Sequence, residues 1–238
     1  MKQSGTLIHD AAYALAFHAL EPRPEQPRAL LILLHGVGGD EHQLEPLGAA
    51  TAEDVLVVLP RGPRSISGDR LGWFREGLSE DGPQIVEDEA EDARLKLVEF
   101  ISQLQQRFGV PPSHTVAAGF SQGGILSASV ALTEPSCLAG FGMVGGRLMP
   151  ELEPQVASVD SFRHLDALVV HGRNDETLPL QWAERAEAWL MRLGVAHELR
   201  LHDAGHELTP AMEWDVLDWF SAADKRWNQP REDVGPDS

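Results

Sequence analysis

Cysteine is almost absent from this chain of 238 residues, in which Cys137 is the only one. A single cysteine excludes an intramolecular disulfide and is typical of a protein from a reducing compartment. The N-terminus also lacks the apolar core of a secretory signal, since the polar His9 and Asp10 follow closely on its first residues. The sequence therefore predicts a cytoplasmic protein.

Positive charge and long apolar runs are scarce as well. The chain has 19 Lys and Arg residues against 37 Asp and Glu residues, a formal net charge of −18. Nucleic-acid binding needs a basic surface, so we expect no nucleic-acid partner. No run of about 18 apolar residues occurs, so we expect no stable membrane insertion. An acidic surface repels anionic membranes and polyphosphates but not neutral small molecules.

What the chain does contain, from about residue 29 onward, is an alternation of strand and helix patterns. Residues 29–34 and 55–59 are apolar runs typical of strands buried on both faces of a sheet. Residues 83–108 repeat apolar side chains at helical spacing. The alternation predicts an α/β fold, with a mainly parallel central sheet and helices on both faces. We expect one domain over residues 1–224 and a polar, frayed tail over residues 225–238.

The remaining segments follow the same reasoning. Further strands are predicted over residues 114–118, 138–144, 165–170 and 196–201, an edge strand over residues 11–20, and helices over residues 41–51, 125–132, 180–193 and 209–220. Residues 61–82 are predicted to be a long irregular loop, and residues 147–164 a second loop. Loops as long as the first are usually functional or disordered, and the aromatic pair Trp73-Phe74 argues against disorder.

Residues 119–124 (GFSQGG) carry the strongest chemical signal, because a strand pattern precedes them and a helix pattern follows. In such a turn Ser121 is raised above the sheet edge in a strained conformation. Gly119 and Gly123 suit the crowded bend because they lack a Cβ. The Gln122 N–H at the helix start is then aimed at whatever the hydroxyl attacks.

A serine hydroxyl becomes a nucleophile only beside a base, and a histidine base needs an acid to orient it. His206 follows the last predicted strand in a glycine-flanked loop, and Asp175 follows the strand before it. Serine, acid and histidine then occur in the chain order of the α/β-hydrolase fold. His202 is the alternative base. Asp203 and Asp166 are the alternative acids.

A tetrahedral intermediate also needs two preorganised N–H donors for its negative oxygen. The Gln122 N–H is one candidate. Residues 35–39 (HGVGG) can supply the other, and we assign it to the Val37 N–H. His35 is expected to brace this loop rather than to act in catalysis. The alternative is that the glycines only permit a tight turn.

Several motifs together resemble one family. They are HGVGGD at residues 35–40, the pair Trp73-Phe74, GFSQGG at residues 119–124, HGRND at residues 171–175 and Gly205-His206. This set is similar to the phospholipase/carboxylesterase family of α/β-hydrolases, which includes the acyl-protein thioesterases, and the likeness covers most of residues 29–220. It implies a serine esterase that needs no cofactor and acts on carboxylic esters and often on thioesters. The same triad and oxyanion donors are implied.

The resemblance also bears on the substrate site. It places Trp73 beside the nucleophile as a wall for the acyl group, with an ordinary core tryptophan as the alternative. Leu71, Phe74, Leu148 and Met149 are further candidates to line an apolar pocket. The sequence departs from the family where Arg75 precedes Glu76 after the aromatic pair, and at Gly145-Gly146, where many members have Ser-Gly. These departures concern specificity rather than the reaction.

The leading hypothesis is therefore a serine carboxylesterase or thioesterase that forms an acyl-enzyme on Ser121 and acts on a small-molecule substrate as a monomer or homodimer. A lysophospholipase or an amidase on the same triad is a second hypothesis. A binding module that has lost catalysis is a third. The histidines are scattered and no metal-hydrolase motif occurs, so we expect no metal.

Overall fold

An eight-stranded sheet runs through the computed structural model, which describes residues 1–79 and 82–227. The strands are β1 (Gln3–Ser4), β2 (Phe17–Glu21), β3 (Ala29–Leu34), β4 (Val55–Pro60), β5 (Arg64–Ser67), β6 (Arg70–Gly72), β7 (Glu76–Ser79), β8 (Gly82–Ile85), β9 (Thr115–Phe120), β10 (Gly140–Val144), β11 (Asp166–Gly172) and β12 (Ala196–His202). The α-helices are α1 (Glu45–Ala49), α2 (Glu87–Phe108), α3 (Gln122–Thr133), α4 (Gln181–Leu193) and α5 (Pro210–Trp227).

The order of the strands determines where a site can form. The sheet runs β1-β2-β4-β3-β9-β10-β11-β12, and from β4 to β12 every neighbouring pair is parallel. The chain moves from β3 outward to β4, then returns to β9 and proceeds in the opposite direction. Ligands of such sheets bind outside the carboxyl ends of the strands at this reversal. The crevice between the ends of β3 and β9 is therefore the expected position of a site.

Alternate side chains of the central strands pack into two separate cores, one on each face of the sheet. In β3, Leu30 and Ile32 pack into the core under α2, α3 and α4, whereas Leu31 and Leu33 pack into the core under α1 and α5. Side chains of a strand alternate between faces, so a continuous apolar run is what a strand covered on both sides requires. The predicted parallel sheet with helices on both faces is confirmed.

The segment over residues 61–82 differs from the irregular loop that was predicted. It contains the hairpin β5–β6 and the first strand of a second hairpin, β7–β8. Pro83 lies in β8, opposite Leu78, and so does not begin the following helix; α2 begins at Glu87. A stretch rich in glycine, serine and arginine shows no clear periodicity, because short two-stranded ribbons have little apolar surface to pattern.

Two N-terminal elements are shorter than predicted. The alternation of Tyr13 and Phe17 reflects an aromatic cluster with Phe100, in which the Tyr13 and Phe17 rings lie 5.0 Å apart, and the strand begins only at Phe17. It is not an edge strand, because β1 pairs along its outer side. The helix predicted over residues 41–51 is α1, whose first turn holds Pro46. Proline suits this position because the N–H that it lacks would have no intrahelical acceptor there.

The C-terminal helix α5 continues to Trp227, beyond its predicted end at residue 220. A frayed tail was predicted from residue 225 on, and residues 228–238 of it lie outside the described residues.

Cys137 packs beside the larger core, and burial raises the pKa of its thiol to about 12, so the side chain is a packing residue, as expected. Within the part of the chain that the structure describes, no helix has the length and apolar character to span a membrane.

The turn between β9 and α3 is held by backbone that approaches unusually closely. A Cβ built on Gly123 would lie 2.1 Å from the Leu34 carbonyl oxygen, and one on Gly119 would lie 2.4 Å from the Gly123 carbonyl carbon. Both contacts are with backbone, which has no flexible end that could move aside. The two glycines are therefore required by packing between α3 and the end of β3.

Replacement of Gly123 by alanine is expected to lower the free energy of unfolding by at least about 3 kcal/mol, because the new methyl group overlaps the end of β3. Gly77→Ala is the matched control, since the nearest atom to its Cβ lies 3.9 Å away. Urea denaturation of both variants provides the measurement. Equal stability of the two proteins would show that the contact at Gly123 imposes no constraint.

Candidate active site

Ser121 is the turning point between β9 and α3. Its backbone angles, φ 51° and ψ −119°, make it the one residue other than glycine with a positive φ in residues 1–79 and 82–227. Its N–H donates to the Val144 carbonyl at 2.8 Å, which fixes the turn to the end of β10. A strained conformation at a non-glycine residue persists only where the surroundings enforce it, and such strain clusters at functional sites. The predicted strand–turn–helix arrangement is confirmed.

Three side chains that are distant in sequence meet at this turn. The Nε2 atom of His206 lies 3.0 Å from the Ser121 hydroxyl oxygen, and its Nδ1 lies 2.7 Å from Oδ2 of Asp175. These distances fit a neutral imidazole that donates from Nδ1 to the carboxylate and accepts the serine proton at Nε2. The predicted residues thus form a chain of hydrogen bonds at the carboxyl ends of β9, β11 and β12.

The Asp175 carboxylate is fully buried and held on both oxygens. Its Oδ1 accepts hydrogen bonds from the N–H groups of Thr177 at 2.9 Å and Leu178 at 2.7 Å, while Oδ2 accepts from His206. The Nε2 atom of His171 lies 3.6 Å from Oδ2 and donates at 2.7 Å to the Leu178 carbonyl. A carboxylate with its acceptors used in this way has one orientation, and it fixes that of the imidazole.

The alternative base and acids are engaged elsewhere. His202 Nε2 lies 2.6 Å from a carboxylate oxygen of Asp215 on α5. The Asp203 side chain is 91% exposed and lies 3.6 Å from Arg173. Asp166 accepts from the Trp219 indole at 3.5 Å, at the beginning of β11 and so at the opposite end of the sheet. In this structure none of the three joins Ser121.

The loop with the predicted oxyanion donor Val37 is tied down on several sides. His35 donates from Nδ1 to the Gly36 carbonyl at 2.8 Å and accepts at Nε2 from the Gly62 N–H at 2.9 Å. Gly38 N–H donates to the Leu71 carbonyl at 2.8 Å. His35 therefore braces the loop, as predicted, and burial lowers the pKa of its imidazole.

The other predicted donor is the N–H of Gln122, the first residue of α3, where a helical N–H has no intrahelical acceptor. Its side chain has a second task that the sequence pattern did not reveal. The amide oxygen accepts from the Trp73 N–H at 3.0 Å, and the amide nitrogen donates to the Phe74 carbonyl at 2.9 Å. The buried Gln122 thus links the β6–β7 connection to the turn between β9 and α3 at Ser121, which we call the elbow.

A cleft of about 270 Å³ opens beside the triad. It is lined by Val37, Glu76, Phe120, Ser121, Ile125, Arg147, Thr177, Leu178 and His206. Its volume lies just below the roughly 300–1,000 Å³ typical of sites for drug-sized ligands, so it suits a small substrate. Both a carboxylate, from Glu76, and a guanidinium, from Arg147, contribute to its wall.

The five apolar residues predicted to contact substrate or to line its pocket are not part of this lining. Trp73 and Phe74 are fully buried in the larger core, and the Trp73 indole donates at 2.8 Å to the His35 carbonyl. Leu71, Leu148 and Met149 are also buried. Trp73 thus takes the position of a core tryptophan, which was the alternative interpretation of it. Substrate contact by these five residues stays a prediction.

Arg75 and Glu76, at which the sequence departs from the family pattern, have two separate roles. Arg75 turns outward, 69% exposed, and pairs with Glu89 on α2 at 2.6 Å, while Glu76 lines the cleft. The sequence analysis did not predict Arg147 as a residue of the cleft. The signal that could have found it is its position two residues after Gly145, at the end of β10 and hence at the same edge of the sheet as Ser121.

Outside the cleft, possible metal ligands converge in one place among the described residues. His18, Glu41 and His42 bring ligand atoms to within 4.8 Å of one another. The Arg61 guanidinium donates to Glu41 at 2.8 Å, and His42 pairs with Glu45 at 2.9 Å. The partners that these side chains already have compete with a cation, so the cluster fits a structural network of charges.

Comparisons with known proteins relate the chain as a whole to one family. Residues 16–222 match the model of the family described as Phospholipase/Carboxylesterase. Acyl-protein thioesterase 1 of Gibberella zeae is 28% identical over 221 residues, 84% of this chain and 92% of that protein.

Solved structures give the same result for the fold. The carboxylesterase of Mesorhizobium loti has a TM-score of 0.78 at 23% identity, covering 92% of this chain and 98% of that one. The carboxylesterase of Bacillus cereus has a TM-score of 0.73 at 22% identity, covering 87% and 93%. The predicted α/β-hydrolase fold is confirmed.

The buried imidazole of His35 is expected to make stability depend on pH. Its pKa is lowered in the folded state from 6.5, so below about pH 6.5 the unfolded chain binds a proton that the folded chain does not. Stability contributed by the neutral ring is therefore fully present above this pH and is lost as the pH falls. By pH 5.5 the loss reaches up to about 1.4 kcal/mol.

Urea denaturation of the wild-type protein and of His35→Gln at pH 7.5 and pH 5.5 measures this effect. The amide of glutamine can replace both hydrogen bonds but does not titrate, so the variant is expected to lose less stability on acidification. Replacement of the exposed His9 by glutamine is the control and should leave the wild-type pH dependence in place. Parallel pH profiles for all three proteins would contradict the assignment.

Proposed function

We propose that this chain, which belongs to the phospholipase/carboxylesterase family, hydrolyses short carboxylic esters through an acyl-enzyme on Ser121. One observation carries the proposal. A single imidazole, that of His206, is within hydrogen-bond distance of both the Ser121 hydroxyl and the buried Asp175 carboxylate. Nucleophile, base and orienting acid are the three groups that acyl transfer by a serine requires.

In the first half-reaction the Ser121 oxygen attacks the ester carbonyl carbon while its proton passes to His206 Nε2. The carbonyl oxygen gains the negative charge and accepts hydrogen bonds from the N–H groups of Val37 and Gln122. Asp175 stabilises the imidazolium that has formed. When the intermediate collapses, the bond to the alcohol breaks, and His206 returns the proton to the leaving oxygen.

In the second half-reaction water takes the place of the alcohol. His206 removes a proton from the water, whose oxygen attacks the acyl carbon, and the same two N–H groups hold the second oxyanion. Collapse releases the carboxylic acid and restores the Ser121 hydroxyl with the proton from His206. The bracing of the Val37 loop by His35 supports this role, because fixed donors need no reorganisation during the reaction.

Acyl-thioesters are the second substrate class that we propose, since a thiol leaves by the same route and the Gibberella zeae relative is a thioesterase. Amides demand the most from His206 as a general acid, because the amine is the poorest leaving group of the three. The intact elbow and triad do not favour a binding module. The isolated, largely buried Cys137 fits the cytoplasmic location that we include in the proposal.

Ser121→Ala is expected to lower kcat/KM for p-nitrophenyl butyrate at least about 10³-fold, because the nucleophile is lost. It should also abolish covalent labelling by a fluorophosphonate. Ser221→Ala removes an exposed serine from α5 and should leave both readouts unchanged. Labelling that persists in Ser121→Ala would refute the proposed nucleophile. Butyryl ester, thioester and amide assayed side by side identify the preferred bond.

Asp175→Asn should reduce kcat by about 10³- to 10⁴-fold with little change in KM, because an amide at this position favours the wrong imidazole tautomer. Asp203→Asn changes another aspartate at this edge of the sheet, which is exposed and lies beside Arg173, and serves as the matched control. Comparable kcat values for the two variants would rule out Asp175 as the orienting acid.

A further inference from the structure

Arg147 is a buried cation without a counter-ion at hydrogen-bond distance. Its side chain follows β10, is 5% exposed and lines the cleft together with Ser121 and His206. In the described part of the chain it makes no side-chain hydrogen bond, and no carboxylate oxygen lies within 4.0 Å of it. Its nitrogens are not sealed from solvent, so what remains accessible of them can meet a ligand. Withdrawing most of an unpaired charge from water is costly, so such a group calls for an explanation.

The surroundings hold the guanidinium in place but do not neutralise it. Its central carbon lies 4.7 Å from the centroid of the Trp182 ring, which gives it a flat surface to stack on. Burial lowers the pKa of Arg147, whereas the more distant Glu151 and Glu76 act in the opposite direction. Arginine stays protonated in proteins, so the cleft keeps a fixed positive charge beside the nucleophile.

We propose that Arg147 binds a carboxylate carried by the substrate, so that the preferred esters are short and monoanionic. This inference rests on the proposed esterase function and specifies its substrate class. The planar guanidinium matches a carboxylate with two parallel hydrogen bonds, and its stacking on Trp182 pre-orders it for that contact. A substrate carboxylate supplies the counter-charge that the protein does not place at Arg147.

A carboxylate fits this cleft better than a phosphate monoester does. Glu76 lies in the same wall, and the protein carries a net charge of −18, so a second negative charge on the ligand adds repulsion. The volume of about 270 Å³ also leaves room for a short acid ester rather than a large headgroup. Phosphate-bearing ligands are therefore an outcome that the experiment distinguishes.

The test compares three esters by acid release in a pH-stat. Ethyl butyrate is neutral, monoethyl succinate carries a carboxylate on the acyl side, and butyryl glycolate carries one on the alcohol side. For at least one acid ester, Arg147→Met should lower kcat/KM about 10- to 100-fold more than for ethyl butyrate, the loss expected for charge-assisted hydrogen bonds. Arg147→Lys keeps the positive charge without the paired N–H groups of the guanidinium. Its kcat/KM for that acid ester should lie between the values of the wild-type protein and Arg147→Met.

Arg185→Met is the matched control. Its guanidinium carbon lies 4.9 Å from the same Trp182 ring, but Arg185 is exposed on α4 and does not line the cleft. It should change the ratio of acid-ester to neutral-ester kcat/KM by less than about twofold. An equal fall for acid and neutral esters in Arg147→Met would indicate a packing role and overturn the inference.

Inhibition of the wild-type enzyme provides a readout that depends on no variant. Succinamate, which carries one carboxylate, should inhibit ethyl butyrate hydrolysis competitively, with an inhibition constant at least tenfold lower than that of neutral succinamide. Equal constants, or inorganic phosphate that inhibits more strongly than succinamate, would overturn the assignment of a carboxylate. Failure of the wild-type enzyme to hydrolyse any of the three esters would instead refute the proposed esterase function.

Discussion

The tight packing of the start of α3 on the end of β3 determines the geometry of the site. At Gly123 the helix lies against the Leu34 carbonyl with no room for a methyl group. This contact sets the first turn of α3 beside the loop that follows β3, the loop that carries Val37. Ser121 takes its positive φ at the same crossing. The strain at the serine and the close packing of α3 on β3 therefore occur at one point of the fold.

Buried polar side chains make this arrangement rigid. The Gln122 amide uses its oxygen and its nitrogen on backbone groups of the β6–β7 connection, and the His35 ring uses both nitrogens on two loops. Buried groups of this kind are costly when unpaired, so each one favours a single loop conformation. The site therefore lies on loops that buried hydrogen bonds hold in place, which is what preorganised donors require.

The sequence predicted the parts of this protein that depend on periodicity and chain order. Continuous apolar runs identified β3 and β4, and the order of Ser121, Asp175 and His206 along the chain predicted which side chains meet. The hairpins within residues 61–82 were not predicted, because short ribbons on a surface bury too little to leave an apolar pattern. Trp73 was ambiguous for a related reason, since a tryptophan in a loop has the same sequence signal whether it faces substrate or core.

Arg147 shows why overall charge predicts little about the charge at a site. The net charge of −18 describes a surface whose field is screened over about 8–10 Å at physiological ionic strength. Inside the cleft the guanidinium is largely withdrawn from water. At such a site the attraction between two opposite charges in contact is far stronger than in bulk solvent. A carboxylate that enters thus meets long-range repulsion first and short-range attraction last. The distant field affects how fast an anion arrives, whereas Arg147 decides how firmly it is held once it lies beside Ser121.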